Sequence, residues 1–250
     1  MAASQTVVDI RQLFRLDEFQ EVIRLQKVIW GFDDVELLPR RLFVVASKIG
    51  GQLLGAFDGR KMAAFCVCIP GLKPGGKPYL HSHMLGVLPQ YRNTGLGRAL
   101  KLKQREYAIS SGIDLIEWTF DPLEIKNAFF NIERLGAIVR RFVPNQYGAT
   151  TSPLHGGLPT DRCIAEWWLA NPRVLNALGG RPIDHGNVFA RVAIPADIGA
   201  IKRSDGKRAR EIQTRVREQF LEHFSKELAV VGFERSPENG EYLLGPWHSE

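Results

Sequence analysis

The segment LHSHMLGV (residues 80–87) sets His81 and His83 two positions apart in an apolar, strand-like run, a spacing that turns both rings to one face of an extended chain. Imidazole gains and loses a proton near neutrality, so the pair has the chemistry of a general base or a proton relay. Just beyond it, YRNTGLGRAL (residues 91–100) places Arg92, Gly95 and Gly97 ahead of a helical-looking segment. A helix N-terminus offers unpaired amides and partial positive charge, glycine lets backbone approach a ligand closely, and arginine adds a charged donor. The combination suits phosphate oxygens. Its spacing matches neither G-x-x-x-x-G-K-[ST] nor G-x-G-x-x-G, the two other glycine loops with that chemistry. Cys66 and Cys68 on the preceding apolar run bring thiols that suit zinc, with a histidine as partner. A C-x-C on one strand holds a tetrahedral ion awkwardly, so both are read as small buried hydrophobes and no metal is expected.

Strands and helices must alternate to position these groups. TVVDIRQL (6–13) reads as a strand, followed by a helix that Asp17 caps and that buries Phe19, Val22, Ile23 and Ile29. PRRLFVVASKIGG (39–51) reads as a second helix, and QLLGAFDGRKMAAFCVCIPG (52–71) as two strands about Asp58-Gly59. The histidine strand and the glycine turn lead into a helix over 96–111, a buried strand over 113–120, and a helix in PLEIKNAFFNIERLGA (122–137). IVRRFVPNQYG (138–148) and RCIAEWWLA (162–170) supply two further strands. Beyond Asn171 the chain is Pro/Gly-rich, then gives a strand near 187–194, a basic helix, and the strand pair LAVVGFER and EYLLG. The class is α+β, with a core unit at 1–170 and an extension at 171–250.

Composition bounds the rest. The 250 residues are 44% hydrophobic and 24% charged, enough for a well-cored protein. No apolar run reaches the roughly 18 residues of a membrane span, and the start lacks a signal-peptide layout. Three cysteines make no disulfide framework, so a cytoplasmic location is expected. The net charge of +6 admits an anionic ligand. The basic run at 201–218 continues into Phe220, Phe224 and Leu228, which with Ile212 and Val216 recur every fourth residue. That pattern makes an amphipathic helix with solvated arginines. Without zinc-finger spacing or an RNA-binding aromatic signature, neither nucleic acid nor membrane is an expected partner.

Arg92-x-x-Gly95-x-Gly97 between strand and helix resembles the acyl-CoA signature [RQ]-x-x-G-x-[GA] of the GNAT N-acyltransferase superfamily, and the order of elements over 6–170 resembles that fold. AFFNIERLGA is similar to the family's A-x-x-x-Y-x-x-x-G-F helix. The longer-chain subgroup of predicted acyltransferases is the nearest resemblance. It implies a central, mostly antiparallel splayed sheet flanked by helices, with acetyl-CoA or another acyl-CoA as donor. Leu85, Gly86 and Val87 would then run along the pantetheine arm, and Asn93, Thr94, Gly95, Leu96, Gly97 and Arg98, with Arg92 and Asn127, would hold the cofactor. His81, at the position of a frequent general-base glutamate, and His83 resemble the strand histidines that deprotonate an amine in some members. Trp30, Phe32 and Glu36 fall where the family covers its acceptor pocket. Ile132 stands where many members have the tyrosine that protonates the departing thiolate, leaving Asn131 or Tyr147 for that role. Arg141 or Arg162 would suit an acceptor carboxylate. The implied activity is transfer of an acetyl or succinyl group to a small-molecule amine or amino acid. A catalytically inactive acyl-CoA sensor is the alternative, and the oligomeric state, a homodimer included, stays open.

Overall fold

The computed structural model describes residues 8–148, 150 and 156–247. The chain divides into two compact units, Met1–Ile116 and Glu117–Glu250. Its strands are mostly antiparallel and flanked by helices, the mixed class the sequence predicts.

In the first unit, β1 (Asp9–Gln12), β2 (Gln52–Asp58), β3 (Lys61–Leu72) and β4 (Pro78–Val87) pair in that order, each antiparallel to the next. Thr6 and Val7, included in the predicted first strand, lie outside the described residues. The strands β2 and β3 are covered on both faces, which is why they read as nearly continuous apolar runs. One face packs Leu53, Phe65 and Val67 against Phe19, Val22 and Leu25 of α1 (Leu16–Trp30) and Phe43 of α2 (Arg40–Lys48). The other packs Leu54, Ala64 and Cys66 against Leu96 and Leu100 of α3 (Leu96–Ser110).

Asp17 does not cap α1. It lies within the first turn, bonded to the Arg15 guanidinium, while the Glu18 carboxylate accepts the main-chain N–H groups of Phe14 and Arg15, each at 3.1 Å. A carboxylate in the third helical position reaches back to these orphan donors more readily than a short aspartate inside the turn.

β5 (Leu115–Phe120) crosses the division between the units. In the second unit the strand order is β5, β7 (Arg162–Trp168), β6 (Ile138–Val143), β9 (Leu228–Arg235), β10 (Asn239–Pro246) and β8 (Ala190–Pro195). Pro144 closes β6, so Tyr147 stands in a turn and not on the predicted strand. The helix α4 (Ile125–Phe129) widens into a π-turn at Phe130–Arg134. Two helices escape the sequence pattern, α5 (Pro172–Leu178) and α6 (Ile198–Ser204). Asn171 nonetheless carries a start signal, its side chain accepting the Arg173 main-chain N–H at 2.9 Å ahead of Pro172.

The basic helix α7 (Gly206–Ser225) buries Ile212, Val216 and Phe220 as its periodicity predicts. Leu228, counted in the same stripe, instead opens β9, because Glu227 adopts a left-handed φ of 59° that ends the helical path. Several cations around it serve the unit's own structure. Arg217 grips Asp161 with two bonds of 2.9 Å, and Lys202 lies 3.1 Å from both Asp121 and Glu124.

Candidate functional site

The turn after β4 has the shape its composition implies. Asn93 and Gly95 take left-handed φ values of 63° and 85°, and α3 begins directly at Leu96 with no side chain capping its first turn. The turn is anchored at both ends. Tyr91 donates its phenol proton to Asp58 at 2.7 Å, and Thr94 donates its hydroxyl to the Tyr91 carbonyl at 2.7 Å. The Arg92 Nε–H reaches back to the Val87 carbonyl at 3.3 Å and leaves the guanidinium exposed. A Cβ built on Gly95 meets nothing within 4 Å. A helix start without a side-chain cap, with the exposed Arg92 just ahead of it, is the kind of donor set that suits an anionic phosphate.

Upstream, Leu85, Gly86 and Val87 pair with Cys66, Phe65 and Ala64 of β3. Gly86 has a steric duty there: a Cβ would come within 2.8 Å of the Trp30 ring and of Ile29. Its absence lets Trp30 lie against the histidine strand, where it stacks on Phe32 at 5.7 Å and meets Phe65 edge-on. Glu36 sits half-buried in a 3-10 turn, Asp34–Glu36. The structure therefore brings Trp30 and Phe32 together with β4, as the spacing alone could not establish.

The β3–β4 register passes from Val67↔Met84 to Cys68↔Ser82, which leaves His83 as an extra residue, a β-bulge. Strict alternation from His81 to His83 is therefore broken, and the equal-face argument from spacing does not apply. The two rings are adjacent all the same, with centroids 5.9 Å apart and planes tilted by 40°. Burial disfavours the imidazolium and lowers the His83 pKa below its ordinary 6.5, so the ring is a neutral proton acceptor at pH 7. Cys68 pairs with Ser82, and Cys66 packs beside α3, whereas His81 stands one register position along at Ile69, facing the other way. Burial pushes the Cys68 thiol up to about 11 and Cys66 well above its usual value. Both thiols are buried, Cys66 within an apolar cluster and Cys68 against the Gln104 side-chain amide.

Sequence reasoning passed over three polar groups in this unit: Ser82, Lys101 and Gln104, all buried. The signal was present. Lys101 and Gln104 interrupt the inward stripe of Leu96, Leu100 and Ala108 on α3.

The remaining candidates belong to the second unit. Asn127 is exposed on α4, and Asn131 is buried in the π-turn, four residues along. Ile132 is wholly buried. Tyr147 is 45% exposed, its hydroxyl 2.9 Å from that of Thr119 and its ring 5.4 Å below the Arg162 guanidinium. Arg162 donates to the Asp161 carbonyl at 2.9 Å, and Arg217 pairs with the Asp161 carboxylate. Arg141 is bonded to Glu117 and lies 3.5 Å from Glu166. A bulge at Arg140 sets two consecutive arginines beside these buried carboxylates. Their charges are thus matched within the protein, and Arg141, offered for an acceptor carboxylate, already has carboxylate partners.

Among protein-family models, that of the GNAT acetyltransferase family matches residues 9–136. No curated protein sequence matches the chain. Among solved structures, a GNAT-family protein from Desulfovibrio desulfuricans is 19% identical, with 66% of this chain and 100% of that one covered at a TM-score of 0.52. The ribosomal-protein-S18-alanine N-acetyltransferase of Escherichia coli is 16% identical over 66% of this chain and 96% of its own, also at 0.52. Arabidopsis thaliana NAA60, in complex with a bisubstrate analogue, is 13% identical over 65% and 99%, at 0.51. At these identities the likeness is one of fold.

Proposed function

Because the chain belongs to the GNAT acetyltransferase family, we propose that it moves an acetyl or succinyl group from coenzyme A to the primary amine of a small molecule or amino acid. The observation that carries this reading is the left-handed turn at Asn93 and Gly95, which leaves the first turn of α3 uncapped directly after the histidine strand. Coenzyme A supplies the acyl thioester. The amides of residues 93–98 and the side chains of Arg92 and Arg98 hold its phosphates, and Leu85, Gly86 and Val87 lie along its arm, with Asn127 a further contact. Trp30, Phe32 and Glu36 border the acceptor. His83 or His81 takes the proton from the ammonium group, since only the free amine attacks a thioester. The amine then attacks directly, and an amide near Leu85 steadies the oxyanion. Asn131 or Tyr147 is the candidate proton donor to the thiolate, a leaving group that already departs readily because a thiol's pKa is about 8–9.

Residues 1–170 form the transferase domain in this reading. Residues 171–250 are an extension whose strands join those of the second unit. Three buried, unpaired cysteines suit a reducing compartment such as the cytoplasm.

Release of free thiol from acetyl-CoA and succinyl-CoA, each against a panel of amines, amino acids and N-terminal peptides, tests the proposal. Peptides belong in the panel because the E. coli protein of the same fold is named for a ribosomal-protein alanine. Turnover with one pair is the expected result. The buried Ile132, at the position of the family's tyrosine, favours a second reading as an acyl-CoA sensor, which predicts CoA binding without turnover of any pair.

A variant probes the cradle separately. Gly95→Val forces a β-branched residue to a φ of 85°. The strain, about 1–2 kcal/mol, is relieved by moving the turn. CoA affinity, measured by calorimetry, is expected to fall about ten-fold. Unchanged affinity would remove the turn from the binding site.

A further inference from the structure

The sheet-facing side of α3 carries two polar groups that acyl transfer does not call on. Lys101 is 3% exposed and Gln104 fully buried, three residues apart and so on one helical face. Both reach β4. Lys101 donates from Nζ to Ser82 Oγ at 2.9 Å, and Gln104 donates from Nε2 to the same oxygen at 3.1 Å. The Gln104 amide also contacts Cys68 Sγ. Ser82 and Cys68 are the cross-strand pair on one side of the bulge that bears His83; Val67 and Met84 are the pair on the other.

A β-bulge has lost part of its ladder, so its geometry depends on what holds its flanks. Here one flank is clamped by side chains of the same helix whose first turn forms the proposed cradle. Burial pushes the Lys101 ammonium down to about 8, so keeping a cation there at neutral pH opposes its desolvation. Lys101 is thus held against the bulge at a cost in desolvation, with the Ser82 hydroxyl as an acceptor.

We infer that Lys101 and Gln104 are positioning residues: by fixing Ser82 they pin the β4 bulge and thereby set the imidazoles of His83 and His81 relative to α3. A displacement of about 1 Å in a reacting group can cost about 10²-fold in rate, so a tether of this kind has catalytic leverage without touching substrate. The inference deepens the proposed function and rests on it where the histidines act as base. The geometric part stands on Ser82, Cys68 and α3 alone.

The test is histidine side-chain nuclear magnetic resonance on the full chain, with steady-state kinetics in parallel. In Lys101→Met, the His83 ring resonances are expected to shift and its pKa to move toward 6.5, as a loosened bulge admits solvent. The kcat is expected to fall about ten-fold or more, with KM for acetyl-CoA within about two-fold, because misplacement affects the reacting groups more than the cradle. Leu100→Ala, a buried neighbour on the same helix, serves as control: it should lower stability while leaving the His83 titration in place. Gln104→Met reads the other half of the tether and carries the test alone should Lys101→Met not fold. A folded Lys101→Met or Gln104→Met with unmoved His83 resonances overturns the inference. If the resonances move but His83→Ala and His81→Ala leave kcat intact, the tether stands and the histidine base falls.

Discussion

Replacing His81 and His83 together by alanine is expected to lower kcat by about 10²–10⁴, the usual worth of a positioned general base, with little change in affinity for acyl-CoA. The split follows from placement. The rings belong to the bulged segment of β4, whereas the proposed phosphate donors belong to the turn and first helical residues after it. His83→Ala alone separates the two rings, since only its partner remains to accept the proton. The pH profile gives the sign. Burial lowers the His83 pKa, so the base form survives to more acidic pH, and the acid limb of kcat at saturating amine lies below 6.5. As pH falls through that pKa the imidazole is protonated and activity is lost; in His83→Ala the limb should disappear or move to the value of another group. A double variant with wild-type kcat across the profile would end the base assignment.

Truncation after Ala170 is expected to abolish cooperative folding of the second unit, an effect larger than any single core substitution. Strand β9 pairs with β6 at Val230 and Val139, and its Phe233 main-chain N–H donates to Glu133 at 2.8 Å. Tyr242 of β10 donates its phenol proton to the Pro122 carbonyl at 2.6 Å and meets Phe220 and Phe233 edge-on. Phe220 in turn stacks on Phe142 at 5.6 Å. Each such side chain contributes about 1.5–3 kcal/mol on burial. Losing a handful of them is comparable to the roughly 5–15 kcal/mol that holds a domain together. Phe220→Ala is the graded form of the same experiment, with an expected cost of about 3–5 kcal/mol in urea unfolding followed by tryptophan fluorescence. A truncated chain that unfolds cooperatively with native fluorescence would show that the extension is dispensable.

The extension shows where sequence patterning carries and where it stops. Its apolar spacing over Ile212, Val216 and Phe220 announced a helix with one buried side, and the structure buries that side. What the stripe packs against depends on residues far along the chain, Phe142 and Tyr242 among them. The same spacing also ran on into Leu228, because a four-residue recurrence cannot register a left-handed residue such as Glu227. α5 and α6 were missed because seven-residue helices show too few turns to establish a period.

At the candidate site the divide is sharper. Residue types and local spacing determined the turn: Asn93 and Gly95 tolerate left-handed backbone, and the helix that follows is set by its own apolar face. They also placed two imidazoles on one short strand. Only the tertiary structure decided how those imidazoles are held. The bulge at His83 is a mismatch in count between two strands and exists only once β3 and β4 are paired. The position of Lys101 beside the inward stripe of α3 is legible in sequence, but its lowered pKa arises only because folding removes it from water. Local chain conformation is written in neighbouring residues, whereas register, burial and electrostatic environment are properties of segments brought together, and no short window of sequence contains both partners.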